Sequence, residues 1–128
     1  MSNDIKTIED YLCDLCDISF NDGIVCDKVF NPEEPVNRAA FITQQGNSET
    51  DQDGIRTYTA QILENRKTRS ECIIDMGIID KHFRKYHKKL DNGLVINMSV
   101  SYIISPIRVI VGTQQAYNLS ANLEIKLT

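Results

Sequence analysis

The most regular hydrophobic pattern of the chain lies in its last twelve residues, YNLSANLEIKLT (117–128). Apolar residues take every second position, and polar residues take the positions between them. The apolar positions are Tyr117, Leu119, Ala121, Leu123, Ile125 and Leu127. Because successive side chains of a β-strand point to opposite faces of its sheet, this alternation predicts a half-buried strand. We expect this strand to be paired within a sheet, since chain ends that are not tied down usually fray.

Three earlier segments also predict strands: GIVCDKVF (23–30), Arg38 to Gln44, and Ile55 to about Glu64. We expect them to form an antiparallel meander. NPEEP (31–35) cannot continue a central strand, because proline has no backbone donor and restricts the residue before it. The polar, turn-forming stretch 44–54 predicts a mobile hairpin loop. This candidate assembly loop includes Gln45, Gly46, Asp51, Asp53 and Gly54.

Two segments predict helices. Residues 3–19 carry apolar side chains at helical spacing. Thr68 and Glu71 have the spacing of a capping box, which starts a helix just before an apolar run. The apolar stripe of this second helix comprises Cys72, Met76, Ile79, Phe83, Tyr86 and Leu90. We expect DNG (91–93) to end it.

Alternation resumes at Leu94 in LVINMSVSYII, which predicts a strand that Pro106 ends. The piece IRVIVG (107–112) is short and apolar, and GTQQ leads from it into the last strand. The predicted fold class is α+β, as one domain over residues 1–128. We expect a mostly antiparallel sheet of four to five strands, built from a meander and a C-terminal hairpin and packed against two helices.

Length and charge limit the possible functions. A chain of 128 residues can bury one ordinary core without disulfides or metal. Its net charge of −4 argues against non-specific binding of nucleic acid, because such binding needs clustered Lys and Arg. The N-terminus lacks the pattern of a secretory signal, and no run approaches the roughly 20 apolar residues of a membrane span. We therefore expect a cytoplasmic protein with reduced cysteines and no membrane partner.

The CDLC segment, with Cys13 and Cys16, is the strongest sign of a metal or redox site. A zinc site needs further ligands, but Cys72 falls in the core stripe of the second helix. His82 and His87 are five residues apart, hence about 140° apart on a helix, and cannot chelate one ion together. We therefore expect structural thiols, with Cys16 beside the buried stripe and Cys13 facing outward. No phosphate-binding glycine motif is present, and we predict no cofactor, no metal and no enzymatic activity.

The face of the second helix opposite its core stripe carries a basic cluster, formed by Lys81, Arg84, Lys85, Lys88 and Lys89. We interpret this cluster as a solvated surface, with binding of an anionic partner as the alternative. Ile74 and Ile78 lie on the same face, one turn apart. Together with the apolar piece 107–112 and the strand edges, they suggest contacts between subunits. The candidate contact residues are Ile74, Ile78, Ile107, Val109, Val111, Gln114 and Gln115.

Near its end the chain places Pro106, the pair Val111–Gly112, the pair Gln114–Gln115 and the strand from Tyr117 to Leu127 in a fixed order. This order, together with the Pro-flanked segment NPEEPVNRAAFI, resembles the tail terminator and tail-to-head joining proteins of long-tailed bacteriophages. Members are also described as minor capsid or tail completion proteins. The resemblance implies a non-enzymatic structural virion protein. Such α+β subunits close into a ring, expected to be a hexamer, that caps the tail tube, ends tail growth and offers the surface on which the head docks.

The resemblance also implies partners and a location. The partners are other copies of the chain, the tail tube, and neck or head-completion proteins, while DNA passes through the ring without specific binding. The location is the tail or neck of the virion, after assembly in the cytoplasm of the bacterial host. One alternative is another tail or neck component, such as a tube subunit or a head-completion protein. The other is a small cytoplasmic ligand-binding or regulatory α+β domain, and an enzyme would need the CDLC thiols to be functional.

Overall fold

The computed structural model of the chain describes residues 2–45 and 54–128, and all structural statements below refer to this part of the chain. Within it lie two helices, α1 (Ser2–Phe20) and α2 (Arg69–Phe83). The same part contains six strands: β1 (Cys26–Asp27), β2 (Asn37–Gln45), β3 (Arg56–Arg66), β4 (Tyr86–Lys89), β5 (Val95–Val111) and β6 (Gln114–Leu127).

The six strands form one mixed sheet in the order β1-β2-β3-β6-β5-β4, curled into a half-barrel. All neighbouring strands are antiparallel except β1 and β2, which are parallel. The predicted α+β class, with a mostly antiparallel sheet on two helices, is therefore confirmed. The strand count is six because two short strands, β1 and β4, extend the sheet at its ends.

The terminal strand β6 lies in the middle of the sheet. It pairs with β3 from Tyr117 to Leu127 and with β5 along nearly its whole length. Its predicted inward positions from Leu119 to Leu127 are fully buried, while Glu124 and Lys126 between them are exposed. The expectation that this strand is paired is confirmed, and its alternation is clean because it has a helix-covered face and an outer face.

The core lies between the sheet and the two helices, which pack on the same face. Helix α1 contributes Ile8, Leu12, Cys16 and Phe20 to it, and α2 contributes Cys72, Ile79 and Phe83. The capping box predicted at the start of α2 is present: the Thr68 side chain accepts from the backbone N–H of Glu71, and the Glu71 side chain accepts from the backbone N–H of Thr68. The start of α2 is therefore fixed as the sequence predicts.

The first predicted strand, 23–30, is mostly wrong. Only Cys26–Asp27 pairs, and it runs parallel to β2, so the expected three-strand antiparallel meander reduces to the β2–β3 hairpin. Val25 and Val29 are exposed beside this short strand, so the apolar content of the segment does not reflect burial in a sheet.

The predicted hairpin between the second and third strands is confirmed, because the residues on either side of its loop are paired: Gln45 pairs with Tyr58. Gln45 is the last residue of β2, and Gly54 has a positive φ of 77°, which favours glycine. The other residues of the candidate assembly loop, Gly46, Asp51 and Asp53, lie outside the described residues.

The second helix is shorter than predicted, because it ends at Phe83 and not near Leu90. Residues 86–89 form β4 and pair with the start of β5, with Tyr86 opposite Met98. DNG is the turn of this β4–β5 hairpin, in which the Leu90 N–H donates to the Leu94 carbonyl at 2.7 Å. Pairing with the sheet has overridden a helical spacing that Tyr86 and Leu90 satisfied by chance.

This shorter helix also corrects the predicted basic face. Lys81 lies in the last turn of α2 and Arg84 is its C-cap, whereas Lys88 and Lys89 lie on β4. The basic residues 81–89 are exposed, but they follow a helix end, a connection and a strand instead of one helical face. The angular argument about the two histidines also fails, because His87 lies on β4 and its Nδ1 is 2.6 Å from Asn97 Oδ1.

Pro106 does not end a strand. Strand β5 runs through it to Val111, and the pairing register with β6 shifts between Ile104 and Ile107. A proline costs no ladder hydrogen bond at such a bulge, where pairing is already interrupted. IRVIVG is consequently the second half of a seventeen-residue strand and not a separate element.

Replacement of Leu123 by Ala tests the central position of β6. Leu123 is fully buried between β3 and β5 and belongs to the core cluster. We expect Leu123→Ala to lower the free energy of unfolding by about 3 kcal/mol, because it leaves a cavity in the core. Urea unfolding followed by circular dichroism measures the change. The control, Glu124→Ala on the exposed side of the same strand, should stay within about 0.5 kcal/mol of wild type.

Candidate functional site

One side of β5 is open over most of its length. Strand β4 pairs with β5 only from Val95 to Met98. From residue 99 to residue 111, β5 has β6 on one side and no strand of the described chain on the other. We call residues 99–111 the open segment of β5. Unpaired strand edges are surfaces on which other chains dock, and most monomeric proteins cover or blunt them.

The opposite side of the sheet is covered better. Strand β1 pairs with β2 at Arg38 and Ala39, and α1 contacts β2. There the carboxylate of Glu9 accepts from the backbone N–H of Ile42 at 2.9 Å. The two long sides of the half-barrel therefore differ, and among the described residues β5 has the longer stretch with no strand on one side.

Two irregularities limit how the open segment can pair. The register with β6 shifts between Val100 and Tyr102 and again between Ile104 and Ile107, with Pro106 inside the second shift. Bulges and prolines bend an edge strand and interrupt its row of donors. A partner can therefore pair with short stretches of this edge only, and most of the contact must come from side chains.

The side chains on the open segment are apolar on the outer face of the sheet, the face turned away from the helices. Tyr102, Ile104 and Ile107 stand opposite Asn122, Ser120 and Asn118 of β6, whose neighbours point into the core. They are 57%, 41% and 55% exposed. We call these three residues the outer stripe. Large apolar side chains grouped in this way mark contact surfaces more often than isolated ones do.

The open segment continues into a projecting hairpin. Strand β3 pairs with β6 only as far as Tyr117, so β5 and β6 continue beyond it as a two-stranded ribbon over residues 109–116. We call residues 107–116, which contain this ribbon, the β5–β6 arm. Gly112, at φ 63°, makes its turn. Ile110 near the tip is 73% exposed, and the exposed Arg108 makes no ion pair within the described residues. A two-stranded ribbon with exposed apolar residues gains stability when it packs against another surface.

The predicted contact residues fall into three groups. Ile74, Ile107, Gln114 and Gln115 are exposed. Ile78 and Val109 are half-buried, and Ile78 packs against the core of its own subunit. Val111 is buried within the subunit. The arm brings Ile107, Val109, Val111 and the two glutamines together, whereas Ile74 and Ile78 lie apart from them on α2.

The sequence analysis missed Tyr102, Ile104 and Ile110. In an unbroken alternation Tyr102 would share the face of Ile96 and Met98. The first register shift reverses the facing of the strand, so that Ile103 takes the inward place opposite Ala121. No residue type in the segment signals a bulge there, so the sequence carried no indication of the reversal.

A second apolar feature lies on the outer face, over β2 and β3. It is a shallow groove lined by Lys28, Val29, Phe30, Pro32, Phe41 and Leu63, which we call the outer groove. Leu63 shares a row of paired residues with Ser120 and with Ile104 of the outer stripe. The outer groove and the outer stripe are thus on the same face of the sheet, near its opposite sides.

The loop that forms the rim of the outer groove is held by amide hydrogen bonds. Asn37 Nδ2 donates to the carbonyls of Asn31 and Glu34 at 2.8 and 2.7 Å. Asn65 Nδ2 donates to the Glu34 carbonyl at 3.1 Å, and Asn118 Nδ2 donates to Asn65 Oδ1 at the same distance. The side chains of Val29 and Pro32 are exposed on this fixed loop, so little conformational entropy is lost when a partner covers them.

The largest buried polar feature is a charge network under the helices. The Arg38 guanidinium, fully buried, donates to Glu64 at 2.8 Å and to both oxygens of Asp22, and it stacks on the Phe20 ring at 3.6 Å. Arg66 donates to Asp75 at 2.7 Å and to Asp22 at 2.8 Å. These contacts join the end of α1 to β2, β3 and α2.

Two buried carboxyl groups of the network, those of Glu64 and Asp75, both contact Arg38. Burial, followed by the hydrogen bond with Asp75, raises the pKa of Glu64 well above its usual range, despite the opposing charge of Arg38. Glu64 Oε2 is buried and accepts no hydrogen bond in the described chain. A proton on this oxygen can be donated to the Asp75 carboxylate, which satisfies both groups. Because Glu64 is fully buried, we interpret the network as a structural clamp and not as a site that reaches a substrate.

The CDLC thiols are both buried, which corrects the outward position expected for Cys13. Its Sγ donates to the carbonyls of Asp27 and Ala40 at 3.4 and 3.6 Å, because β1 covers this side of α1. A hydrogen bond with Cys26, followed by burial, raises the pKa of the Cys13 thiol. A protonated thiol is a poor nucleophile and metal ligand. Within residues 2–45 and 54–128, no three His, Cys, Asp or Glu residues are placed to hold a metal ion.

The chain matches no protein-family model and no curated protein. Neither of the helices in the described part of the chain is long and apolar enough to cross a membrane.

A pH titration of stability tests the raised pKa of Glu64. With the pKa of Glu64 raised on folding, the folded chain binds more protons than the unfolded chain at pH values above the ordinary glutamate pKa of about 4.3. The stabilisation is therefore complete below that pH and is lost as pH rises toward the folded pKa, by at most about 1.4 kcal/mol per pH unit. Glu64→Gln keeps a donor to Asp75 and cannot ionise, so it should flatten this loss in urea unfolding between pH 5 and pH 8.

The control for this titration is Glu124→Gln, an exposed glutamate on β6. It should keep the wild-type pH dependence. Equal pH slopes for wild type and Glu64→Gln would show that Glu64 is ionised in the folded protein.

Proposed function

We propose that this protein is a structural subunit of a long-tailed bacteriophage virion. Its subunits form a ring that caps the tail tube, ends tail growth and provides the surface on which the head docks. The observation that carries the proposal is the open segment of β5, with the apolar outer stripe and the β5–β6 arm beside it. An isolated monomer leaves these groups in water, whereas an assembly covers them.

A ring is supported by the unequal sides of the subunit. The arm and outer stripe lie along β5, while the outer groove lies over β2 and β3. When one patch of a subunit binds a different patch of its neighbour, the same contact repeats from subunit to subunit. The subunits close into a ring when the rotations between neighbours add up to a full turn. The expected number of six subunits comes from the resemblance to tail terminator proteins.

The segment that carries the resemblance has two structural roles. Tyr117 to Leu127 is the central strand, whose burial makes it the frame of the subunit. Pro106, Val111–Gly112 and Gln114–Gln115 build the β5–β6 arm and the bulge before it.

The charges also suit a passage for DNA. The whole chain carries −4, although the basic residues 81–89 are exposed at one end of the sheet. A net negative subunit has little non-specific attraction for a polyanion, since such attraction grows with the number of phosphates neutralised. DNA is therefore expected to move through the lumen without being held there.

Assembly state is the direct test of this function. Purified protein at increasing concentration should give a discrete species of about six times the subunit mass of 14.6 kDa in sedimentation velocity and native mass spectrometry. Negative-stain images of that species should show rings with a central hole. Monomers alone over the whole range that remains soluble would contradict the proposal.

A second measurement separates a terminator from a tube subunit. Terminator rings should stay single in solution and bind to one end of isolated tail tubes. Stacking of the purified rings into tubes would instead support a tube protein, the main alternative within the same class.

A further inference from the structure

We infer that the β5–β6 arm of one subunit docks in the outer groove of the next, with Ile110 packed against Val29 and Phe30 and with Arg108 facing Glu33. This inference rests on the proposed ring, and it names the two surfaces that form the contact. Its occupant is a second copy of this chain.

The shape of the two surfaces supports the contact. The arm extends past the last residue pair of β3 and β6, so its tip is free to reach another subunit. Ile110 is 73% exposed near that tip, and Val29 is 79% exposed on the rim of the outer groove. Each of these side chains leaves apolar area in water in the monomer, and the contact buries both.

The charges of the two surfaces are complementary. Arg108 makes no ion pair within the described residues, and neither do Glu33 and Glu34, which are exposed on the loop beside Pro32. Lys28, the cation of the outer groove, is engaged by Asp10 of α1. The rim therefore presents unpaired acid to the unpaired base of the arm, which steers the contact and fixes its register.

The rim is also fixed before any partner arrives. Asn31 Oδ1 accepts from the Glu33 N–H at 3.0 Å, and the Glu34 carbonyl accepts from Asn37 and Asn65. These bonds hold Pro32 and Glu33 in position. A rigid apolar and acidic rim loses little entropy on binding, so it suits a contact that recurs around a ring.

Other arrangements of two copies fit these features less well. Pairing of two open segments about a two-fold axis would be interrupted at Pro106 in both strands. It would also leave the outer groove uncovered and would place Arg108 far from Glu33. A contact between the arm and the outer groove instead covers both of these different surfaces at once.

Charge exchange tests the contact. Arg108→Glu and Glu33→Arg each place like charges across it, so each should raise the concentration for half-maximal assembly by at least about tenfold in sedimentation velocity. The double variant restores opposite charges and should recover most of the wild-type assembly. Arg69→Glu, which alters an exposed arginine at the start of α2, is the matched control and should leave assembly unchanged.

A matched pair of apolar variants tests the role of Ile110. Ile110→Asp should weaken assembly by at least about tenfold, while Ile18→Asp, at a position 75% exposed on α1, should not. Circular dichroism and urea unfolding confirm that each variant is folded. Equal effects of the two substitutions, or no recovery in the charge-exchange double variant, would overturn the inference.

Cysteine cross-linking identifies which surfaces meet. Oxidation of a double Ile110→Cys, Val29→Cys variant with copper phenanthroline should join neighbouring subunits into a ladder that ends at the ring. Ile110→Cys alone should not cross-link, and dimers formed by it would indicate a two-fold contact and overturn the inference.

The outcomes separate this inference from the proposed function. If wild type assembles into rings and the arm variants do so equally well, the arm–groove contact is wrong and the ring proposal stands. If wild type does not assemble at all, both are wrong.

Discussion

The pairing of β6 with β3 and β5 is the interaction on which the rest of the structure depends. It places the terminal strand at the centre of the sheet and buries its inward side chains under two helices. Because β5 is seventeen residues long and β4 covers only its first four, the same pairing leaves residues 99–111 with one bonded side. The pairing register of β6 therefore determines both the buried core of the subunit and the exposed segment of β5.

The buried charge network has a different role. Arg38 and Arg66 bind carboxylates from the end of α1, from β3 and from α2, so they fix how the helices lie on the sheet. Buried ion pairs often add little net stability, because desolvation offsets their attraction, but they do discriminate against misplaced packing. The raised pKa of Glu64 favours its neutral carboxyl, which removes one of the buried charges and relieves part of that cost. The clamp keeps the frame rigid while the arm and the outer groove remain free to meet other chains.

Sequence reasoning correctly predicted the elements whose hydrophobic pattern or cap depends on residues that are close together in the chain. The alternation of β6 and the capping box at Thr68 predicted their structures correctly, because each depends on residues that are near in sequence. It failed where strand pairing between separate segments determines the structure. Tyr86 and Leu90 fit a helical spacing but belong to the β4–β5 hairpin. Pro106 lies within a strand, at a bulge. The Arg38 network and the reversed facing of Tyr102 arise from contacts between distant segments. A period of 2 or 3.6 does not encode such contacts.

The central claim is that the β5–β6 arm, at the end of the open segment of β5, is covered by another copy of the chain. Hydrogen exchange followed by mass spectrometry tests it most directly, on dilute monomer and on the assembled protein. The account predicts that assembly slows amide exchange in the arm, 107–116, and in the groove loop, 28–34, with little change in β3 and the second half of β6. Protection confined to other surfaces, with the arm and the groove loop exchanging as fast as in the monomer, would contradict it.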